Sequence, residues 1–249
     1  MKLLDLYIRI LKKQIWLYAI YLLAFWIFIV LAVRVGKGMA AGQALVLYYR
    51  YAVLALMVLI MLTVSAVTAV TSNVELSMRH RAAPVRMELL ELGYLGADLL
   101  VMLFWWMLFF WTAVILYGEA AYRPEGLLMS VNLLTVSLLS TALGFMIGIF
   151  ARSAQGRGIV SNLIALFLPV IGGSVEGLRG GDETVYFLRS FTPIFWYQKA
   201  LEELASGIRH MSEQSLYNCA VYIGIQLMFA LAVLTFGMML DKQRKESAN

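Results

Sequence analysis

The sequence has little charge and almost no cysteine, and each shortage excludes a class of protein. Only 14% of its 249 residues are charged, well below the roughly 25% that is usual in soluble domains. The single cysteine, Cys219, excludes an intramolecular disulfide and a cysteine-based metal site. Hydrophobic residues make up 62% of the chain. This composition predicts a single membrane domain over residues 1–249 rather than a soluble fold.

Motifs for catalysis and for nucleotide binding are also missing. There is no G-x-x-x-x-G-K-[ST] loop, because Gly36-Lys37-Gly38 lacks the upstream glycine of that loop. There is no H-E-x-x-H motif, and His80 and His210 fall on opposite sides of the predicted membrane. Serines in the apolar segments have no intramembrane histidine or aspartate partner for nucleophilic catalysis. The sequence therefore predicts no enzyme and no cofactor in this chain.

Long apolar segments are what the sequence has in abundance. A membrane-spanning helix needs about 20 residues to cross about 30 Å of hydrocarbon. Six segments are predicted as spans, at residues 15–33, 51–70, 99–117, 127–150, 159–171 and 217–240. The fifth has only 13 clearly apolar residues and contains Pro169, so it is expected to stop early or bend.

The middle of each predicted span carries no acidic, basic or histidine side chain. An ionised side chain at mid-bilayer costs roughly 2.5–3.5 kcal/mol on insertion scales, and those present usually mark a proton relay or an ion site. If the chain transports a substrate, we therefore expect the energy to come from outside the membrane segments.

Basic residues favour one orientation of these spans. Twelve of the 20 basic residues fall on the side that holds both chain ends, and eight fall on the other side. The positive-inside rule therefore predicts that both ends lie in the cytoplasm. The net charge of +5 indicates contact with anionic lipid headgroups rather than with nucleic acid.

The N-terminus shows a basic amphipathic pattern. Lys2, Asp5, Arg9 and Lys12 recur every three to four residues, and an apolar face lies opposite them. The pattern predicts an interfacial helix over residues 1–13 that leads into the first span. This helix either only anchors the first span or also braces a cytoplasmic partner.

The cytoplasmic segment between the second and third spans, residues 72–98, mixes charged and apolar side chains. Its pattern predicts a short helix, a corner at Pro84 and a second short helix within residues 73–92. Such an element presents side chains to a soluble partner, whereas a hairpin that only sets topology has no need of apolar residues. Both interpretations remain open at this point. The candidate coupling residues are Glu75, Met78, Arg79, Arg81, Pro84 and Met87.

The extracellular segment 172–215 begins with glycines and then becomes apolar again. Thr192 as N-cap, Pro193 at the first position and Gly207 as the stop predict a helix over residues 193–206. Aromatic residues on a supposedly aqueous side predict a re-entrant element, with Phe191, Pro193 and Trp196 as its candidate residues. A helix of the interfacial aromatic belt is the alternative.

Uncharged polar residues inside the spans are candidates for a translocation path. Threonine hydroxyls can equally bond to their own helix backbone, so both roles stay open. Gly144 and Gly148 form a G-x-x-x-G pattern, which predicts close helix packing. The path candidates are Thr63, Thr68, Asn132, Thr135 and Asn162.

This arrangement resembles the permease subunits of type-2 ABC exporters over nearly the whole chain. The shared features are the interfacial helix, six spans, the coupling segment, the short fifth span and the broken helices around Ser190-Phe191-Thr192-Pro193. The local match is loose, because Ala82-Ala83 stand where a Gly-Thr pair is expected. The coupling residues that fit the family pattern are Glu75, Arg79, Arg81, Leu89 and Leu90.

The resemblance implies a multi-pass protein of the bacterial cell membrane that pairs with a second copy or with a homologous permease. It implies separate cytoplasmic ATPase subunits that bind ATP and Mg²⁺. The implied activity is export of an amphipathic or hydrophobic substrate, such as a peptide, antibiotic, drug or lipid, including resistance to antimicrobial peptides. A membrane sensor or scaffold that uses the same ATPase without transport is the alternative. An intramembrane enzyme is disfavoured by the missing catalytic residues.

Overall fold

The computed structural model describes residues 15–71, 87–151, 153–174, 183–206 and 212–247, and these residues are almost entirely helical. Five of the helices in this part of the chain are long and apolar enough to cross a membrane: α2, α3, α5, α6 and α9 as defined below. The prediction of an all-α, multi-pass membrane protein is therefore confirmed at this level. In chain order the helices are α1 (Ile15–Gly36), α2 (Ala41–Thr71), α3 (Met87–Tyr117), α4 (Glu119–Tyr122), α5 (Pro124–Phe150), α6 (Ala154–Ile171), α7 (Glu183–Ser190), α8 (Pro193–Ser206) and α9 (Glu213–Ser247).

Successive long helices run in opposite directions, so the bundle has two ends. Contacts between α2, α3, α5 and α9 fix which helix termini meet at each end. We name the two ends after a terminal residue of each. The Phe150 end holds Thr71, Met87, Phe150, Ala154 and Ser247, and the Gly36 end holds Gly36, Ala41, Tyr117, Pro124 and Glu213.

Helices α2 and α5 form the centre of the bundle. In α2, 78% of the most apolar stretch is buried, against only 17% in α6 and α9. Glycine allows α2 and α5 to approach closely. A Cβ atom on Gly144 would lie 3.1 Å from the backbone of Met61, and one on Gly148 would lie 2.9 Å from the carbonyl oxygen of Ser65. The predicted packing role of the G-x-x-x-G pattern is confirmed.

Aromatic side chains hold α1 and α3 against this centre. The rings of Phe25 and Phe109 meet edge to face with centroids 4.8 Å apart. The Tyr48 hydroxyl donates a hydrogen bond of 2.9 Å to the Phe109 carbonyl oxygen. On the outer face of α3, large apolar side chains such as Leu100 and Ile115 are exposed. Soluble proteins rarely expose apolar faces of this size, and such faces suit contact with lipid.

The helix bounds correct several predicted spans. Helix α2 begins at Ala41 rather than at residue 51, and α3 runs unbroken from Met87, so Gly93 and Gly96 do not interrupt it. The second short helix predicted before the third span is therefore the start of α3. The sequence prediction ends each span at the nearest charged residue. In the structure, α2 continues through Arg50 and α3 through Asp98, and both side chains are buried.

The predicted fifth span is longer than its 13 apolar residues indicate. Helix α6 begins at Ala154, ends at Ile171 as predicted and has 18 residues, about 27 Å at 1.5 Å each. Its start is fixed by Ser153, whose hydroxyl accepts a 2.9 Å hydrogen bond from the Gly156 amide. Pro169 lies inside the last turn, and the helix ends two residues later, at Ile171.

Some predicted elements lie outside the described residues. These are the interfacial helix over residues 1–13, the coupling candidates Glu75, Met78, Arg79, Arg81 and Pro84, and the stop at Gly207. Met87 is the first residue of α3. The helix predicted over residues 193–206 is confirmed, because α8 spans Pro193–Ser206.

Candidate functional site

Two arginines join three helices at the Phe150 end. The Arg244 guanidinium, on α9, donates to the carbonyl oxygen of Ile149. The Arg157 guanidinium, on α6, donates to that of Ala151 at 3.3 Å. Both carbonyls belong to the end of α5, where the last carbonyls lack partners within the helix and the helix dipole favours cations. The arginines therefore connect α6 and α9 to the C-terminus of α5.

Sequence reasoning missed two buried charged side chains. Asp98, on α3, is 2% exposed and accepts a hydrogen bond from the Thr68 hydroxyl at 3.4 Å. Arg50, on α2, is 9% exposed, and its charge acts on the phenol of Tyr197. The prediction placed both residues in loops because each borders an apolar run. The signal that was available is the apolar residues on the far side of each charge, such as Leu45 before Arg50.

These two charges do not form a relay across the membrane. Arg50 and Thr68 lie 18 residues apart on α2, which is about 27 Å at 1.5 Å per residue. Because Asp98 contacts Thr68, the carboxylate and the guanidinium lie in opposite halves of the bundle. That distance is too long for direct proton transfer between them.

A hydrogen-bond network joins α5, α8 and α9 in the interior. The Gln226 amide donates to Asn132 Oδ1 at 2.9 Å, and the Thr135 hydroxyl donates to Gln226 Oε1 at 2.8 Å. Asn132 Nδ2 donates to the Tyr197 carbonyl oxygen at 3.0 Å. None of the four residues is more than 4% exposed. We call Asn132, Thr135, Tyr197 and Gln226 the Asn132 network.

Helix α8 lies inside the bundle. The Tyr197 hydroxyl donates a 2.6 Å hydrogen bond to the Tyr49 carbonyl oxygen, and Ile194 and Leu201 are fully buried. Tyr49 and Asn132 each lie eight residues beyond the first residue of their helices, about 12 Å at 1.5 Å per residue. Helix α8 therefore reaches about that depth below the Gly36 end.

Burial controls the ionisation of Tyr197. It raises the pKa of the phenol well above its ordinary value of 10.0, and Tyr49 and Tyr48 raise the pKa further, while Arg50 acts in the opposite direction. At physiological pH the phenol is therefore neutral and able to donate its hydrogen bond.

The residues before α8 hold its start in place. Pro193 is buried, Phe191 is exposed, and the Trp196 indole donates to the Ser190 carbonyl oxygen at 2.8 Å. Thr192 lies directly before α8, at the predicted N-cap position, and its hydroxyl donates to the carbonyl oxygen of Arg189 at 2.8 Å. That carbonyl lies at the end of α7, where helix carbonyls need outside donors.

Lys199 lies on the more open side of α8. Its ammonium pairs with the Glu202 carboxylate at 3.1 Å. Partial burial lowers the pKa of Lys199, but the hydrogen bond and charge of Glu202, with Tyr186 and Tyr222, leave the pKa above its ordinary value.

The five path candidates occupy four separate places. The Thr63 hydroxyl bonds to its own helix backbone, and Thr68 bonds to the carboxylate of α3. Asn162 lies beside Tyr21 of α1. Only Asn132 and Thr135 contact each other, within the Asn132 network. In this arrangement the polar groups contribute to helix contact.

An apolar cleft of about 490 Å³ lies between α1 and α2 and reaches α6. A second crevice, of about 340 Å³, lies on the other side of α2 at the Gly36 end, and its polar lining residues include Glu119, Arg123 and Glu125. The side chains that line the first cleft are Tyr21, Phe25, Phe28, Leu31, Leu47, Tyr51, Leu54, Ala55, Val58, Leu59 and Leu166.

Comparison with protein-family models, with curated proteins and with solved structures gave no match. Among the described residues, no group of three or more histidine, cysteine, aspartate or glutamate side chains is placed to hold a metal ion. Three features of the described residues bear on function: the Phe150 end, the Asn132 network and the apolar cleft.

Proposed function

We propose that this chain is the permease subunit of an ATP-driven exporter, and that a separate ATPase docks at its Phe150 end. The observation that carries the proposal is the end at which two of the three longest described helices, α3 and α9, extend beyond the membrane. Helix α3 has 31 residues and α9 has 35, about 46 and 52 Å at 1.5 Å per residue, against about 30 Å of hydrocarbon. Helices of this length extend well beyond the membrane.

The excess length lies largely at the Phe150 end. The apolar part of α3 begins at Leu95, so residues 87–94 precede it at this end. The last turns of α9 carry Asp241, Lys242 and Arg244 at the same end. In the sequence, residues 72–86, which include Arg79 and Arg81, follow α2 and precede α3. In this proposal α1 is a sixth span, and both chain ends lie in the cytoplasm of a bacterial cell.

The contacts at the Phe150 end support transmission of force from a docked partner. A displacement of α3 would reach α2 through the Thr68–Asp98 contact. Arg157 and Arg244 would move α6 and α9 together with α5. The energy would come from ATP on the partner, because this sequence has no phosphate-binding loop. The apolar outer faces suit an amphipathic or hydrophobic substrate, and a second permease chain would complete the transporter.

The second candidate is a sensor or scaffold that couples to the ATPase without transport. The Asn132 network favours it, because hydrogen-bonded side chains fill the interior between α5, α8 and α9. Transport would then need a path outside the centre of a single chain.

Affinity purification tests the partner. The tagged full chain, extracted from native membranes in a mild detergent, is expected to carry a Walker-motif ATPase in equal stoichiometry. Reconstituted vesicles are then expected to move a fluorescent amphipathic peptide only when ATP is present. Absence of the ATPase contradicts both candidates, and stimulated ATP hydrolysis without peptide movement supports the sensor.

Substitution of the coupling candidates tests the docking end. Replacing Arg79, Arg81 and Met87 together by alanine is expected to abolish stimulated ATP hydrolysis and transport. Arg123→Ala, which removes one exposed charge at the Gly36 end, is the control and is expected to leave both unchanged. Full activity of the triple variant would show that the ATPase docks elsewhere.

A further inference from the structure

The apolar cleft between α1 and α2 has the length of one bilayer leaflet. Its lining runs from Tyr21 to Leu31 on α1 and from Leu47 to Leu59 on α2, about 15 and 18 Å at 1.5 Å per residue. Half of the hydrocarbon thickness is about 15 Å. The cleft therefore matches an extended acyl chain in length, and its lining offers hydrocarbon and aromatic contacts along that length.

One end of the cleft lies near the Gly36 end of the bundle. Leu31 is five residues from the last residue of α1, and Leu47 is six residues from the first residue of α2. The two helices meet at this end through a short connection, residues 37–40. One end of the cleft therefore approaches the membrane surface, where lipid headgroups lie.

Two basic side chains, Arg34 and Lys37, lie at that end of the cleft. Arg34 lies three residues beyond Leu31 and hence on the same face of α1. Arg34 and Lys37 are both exposed. The sequence from residue 34 to residue 50 contains no acidic residue. An anionic group at the mouth of the cleft would meet two cations.

Two acidic side chains near this end, Glu119 and Glu125, lie on the other side of α2. Glu119 and Glu125 line the second crevice together with Leu45, whereas Leu47 lines the apolar cleft. Residues two apart on a helix point about 200° away from each other. The carboxylates are therefore turned away from Arg34 and from the mouth of the cleft.

We propose that this cleft binds one acyl chain of an anionic phospholipid and that Arg34 and Lys37 contact its phosphate. Length, apolar lining and charge all fit this one occupant. A second copy of the chain fits less well, because a two-fold interface centred on the cleft would bring the same cations together. The site does not depend on the proposed ATPase partner.

The test measures lipid bound to the purified full chain by native mass spectrometry after delipidation. The probes are dioleoyl phosphatidylglycerol, dioleoyl phosphatidylcholine and oleate. The wild type is expected to bind one phosphatidylglycerol at least fivefold more strongly than phosphatidylcholine. Ala55→Trp, which fills the cleft, is expected to reduce phosphatidylglycerol binding at least fivefold. Arg34→Gln combined with Lys37→Gln is expected to remove the preference between the two phospholipids.

Two control variants distinguish lipid binding in the cleft from a general effect of a substitution on lipid binding. Ala232→Trp, on an exposed face of α9, and Arg123→Gln, at the same end but in the second crevice, are expected to bind lipid as the wild type does. If Ala55→Trp fails to fold, Leu166→Trp is the substitute, because Leu166 lines the cleft from α6 and is itself exposed.

Three results would overturn the proposal. One is equal phosphatidylglycerol binding by the wild type and the folded cleft-filling variant. Another is tighter binding of oleate than of phosphatidylglycerol, which would assign the site to free fatty acids. The third is a wild-type dimer without bound lipid that the cleft-filling variant dissociates, which would make the cleft an interface between copies.

Discussion

Replacing Asn132 by leucine tests whether the Asn132 network holds α8 and α9 to the bundle. The two side chains are similar in size, but leucine can neither donate to the Tyr197 carbonyl nor accept from the Gln226 amide. Because these groups are buried, water does not readily replace the lost hydrogen bonds. The substitution therefore removes polar contact while largely keeping packing volume.

The expected loss in the free energy of unfolding can be worked from these bonds. Two lost hydrogen bonds cost about 1–2 kcal/mol, since one bond contributes about 0.6 kcal/mol on average in a membrane bundle and about 1 kcal/mol in general. A buried Gln226 donor left without its Asn132 acceptor adds about 1–3 kcal/mol. We therefore expect Asn132→Leu to destabilise the protein by about 2–5 kcal/mol.

The double variant Asn132→Leu with Gln226→Leu sharpens the test. It leaves neither of the two amides unpaired, so its cost is expected to fall short of the sum of the single variants by at least about 1 kcal/mol. Unfolding is measured on the purified chain in mixed micelles with a rising fraction of sodium dodecyl sulfate, followed by circular dichroism. Thr235→Val, which removes an exposed hydroxyl on α9, the helix of Gln226, is the control and should change stability by less than about 0.5 kcal/mol. Additive costs in the double variant, or an Asn132→Leu cost below about 0.5 kcal/mol, would refute the reasoning.

Three further substitutions test the packing, measured in the same unfolding assay. Gly148→Ala should destabilise the protein by about 1–3 kcal/mol, because the added methyl group would overlap α2. The control Gly224→Ala, where the methyl group meets open space, should be neutral or stabilising by up to about 1 kcal/mol. Equal effects of the two substitutions would contradict the assigned role of Gly148. Tyr197→Phe should cost about 0.5–1.5 kcal/mol by removing the hydrogen bond to α2, and should speed amide exchange in α8; unchanged exchange would mean that this bond does not hold the helix. Arg244→Gln should cost about 0.5–1 kcal/mol by removing a cation from the end of α5, and wild-type stability would show that the contact contributes nothing.

Local patterns predicted the features that depend on neighbouring residues. The start of α8 follows from Pro193, which favours the first turn of a helix. The packing of Gly144 and Gly148 follows from their spacing on one helix face. In both cases the information lies within about one turn of the residues concerned.

The starts of α2 and α3 were not predicted, because each helix continues through a charged residue that is buried, Arg50 in α2 and Asp98 in α3. Asp98 can lie within a buried helix because it meets Thr68, 30 residues earlier in the chain. Likewise Asn132 and Thr135 were recognised as unusual, but as path residues. Their contact with Gln226 is made across more than 90 residues. No local pattern reports which polar groups will meet at such separations.

If the chain transports a substrate as proposed, the closed centre changes where its path is to be sought. If the Asn132 network stabilises the fold, its substitution should lower stability first and transport only as a consequence. For a path along the outer faces of the bundle, substitution of a residue on that path should lower transport without lowering stability. Leu163, on the exposed face of α6, offers the comparison, because Leu163→Trp should leave the free energy of unfolding within about 0.5 kcal/mol of the wild type. Reduced transport in that variant at normal stability would place the path on the outer surface, between chains, and normal transport would argue against it.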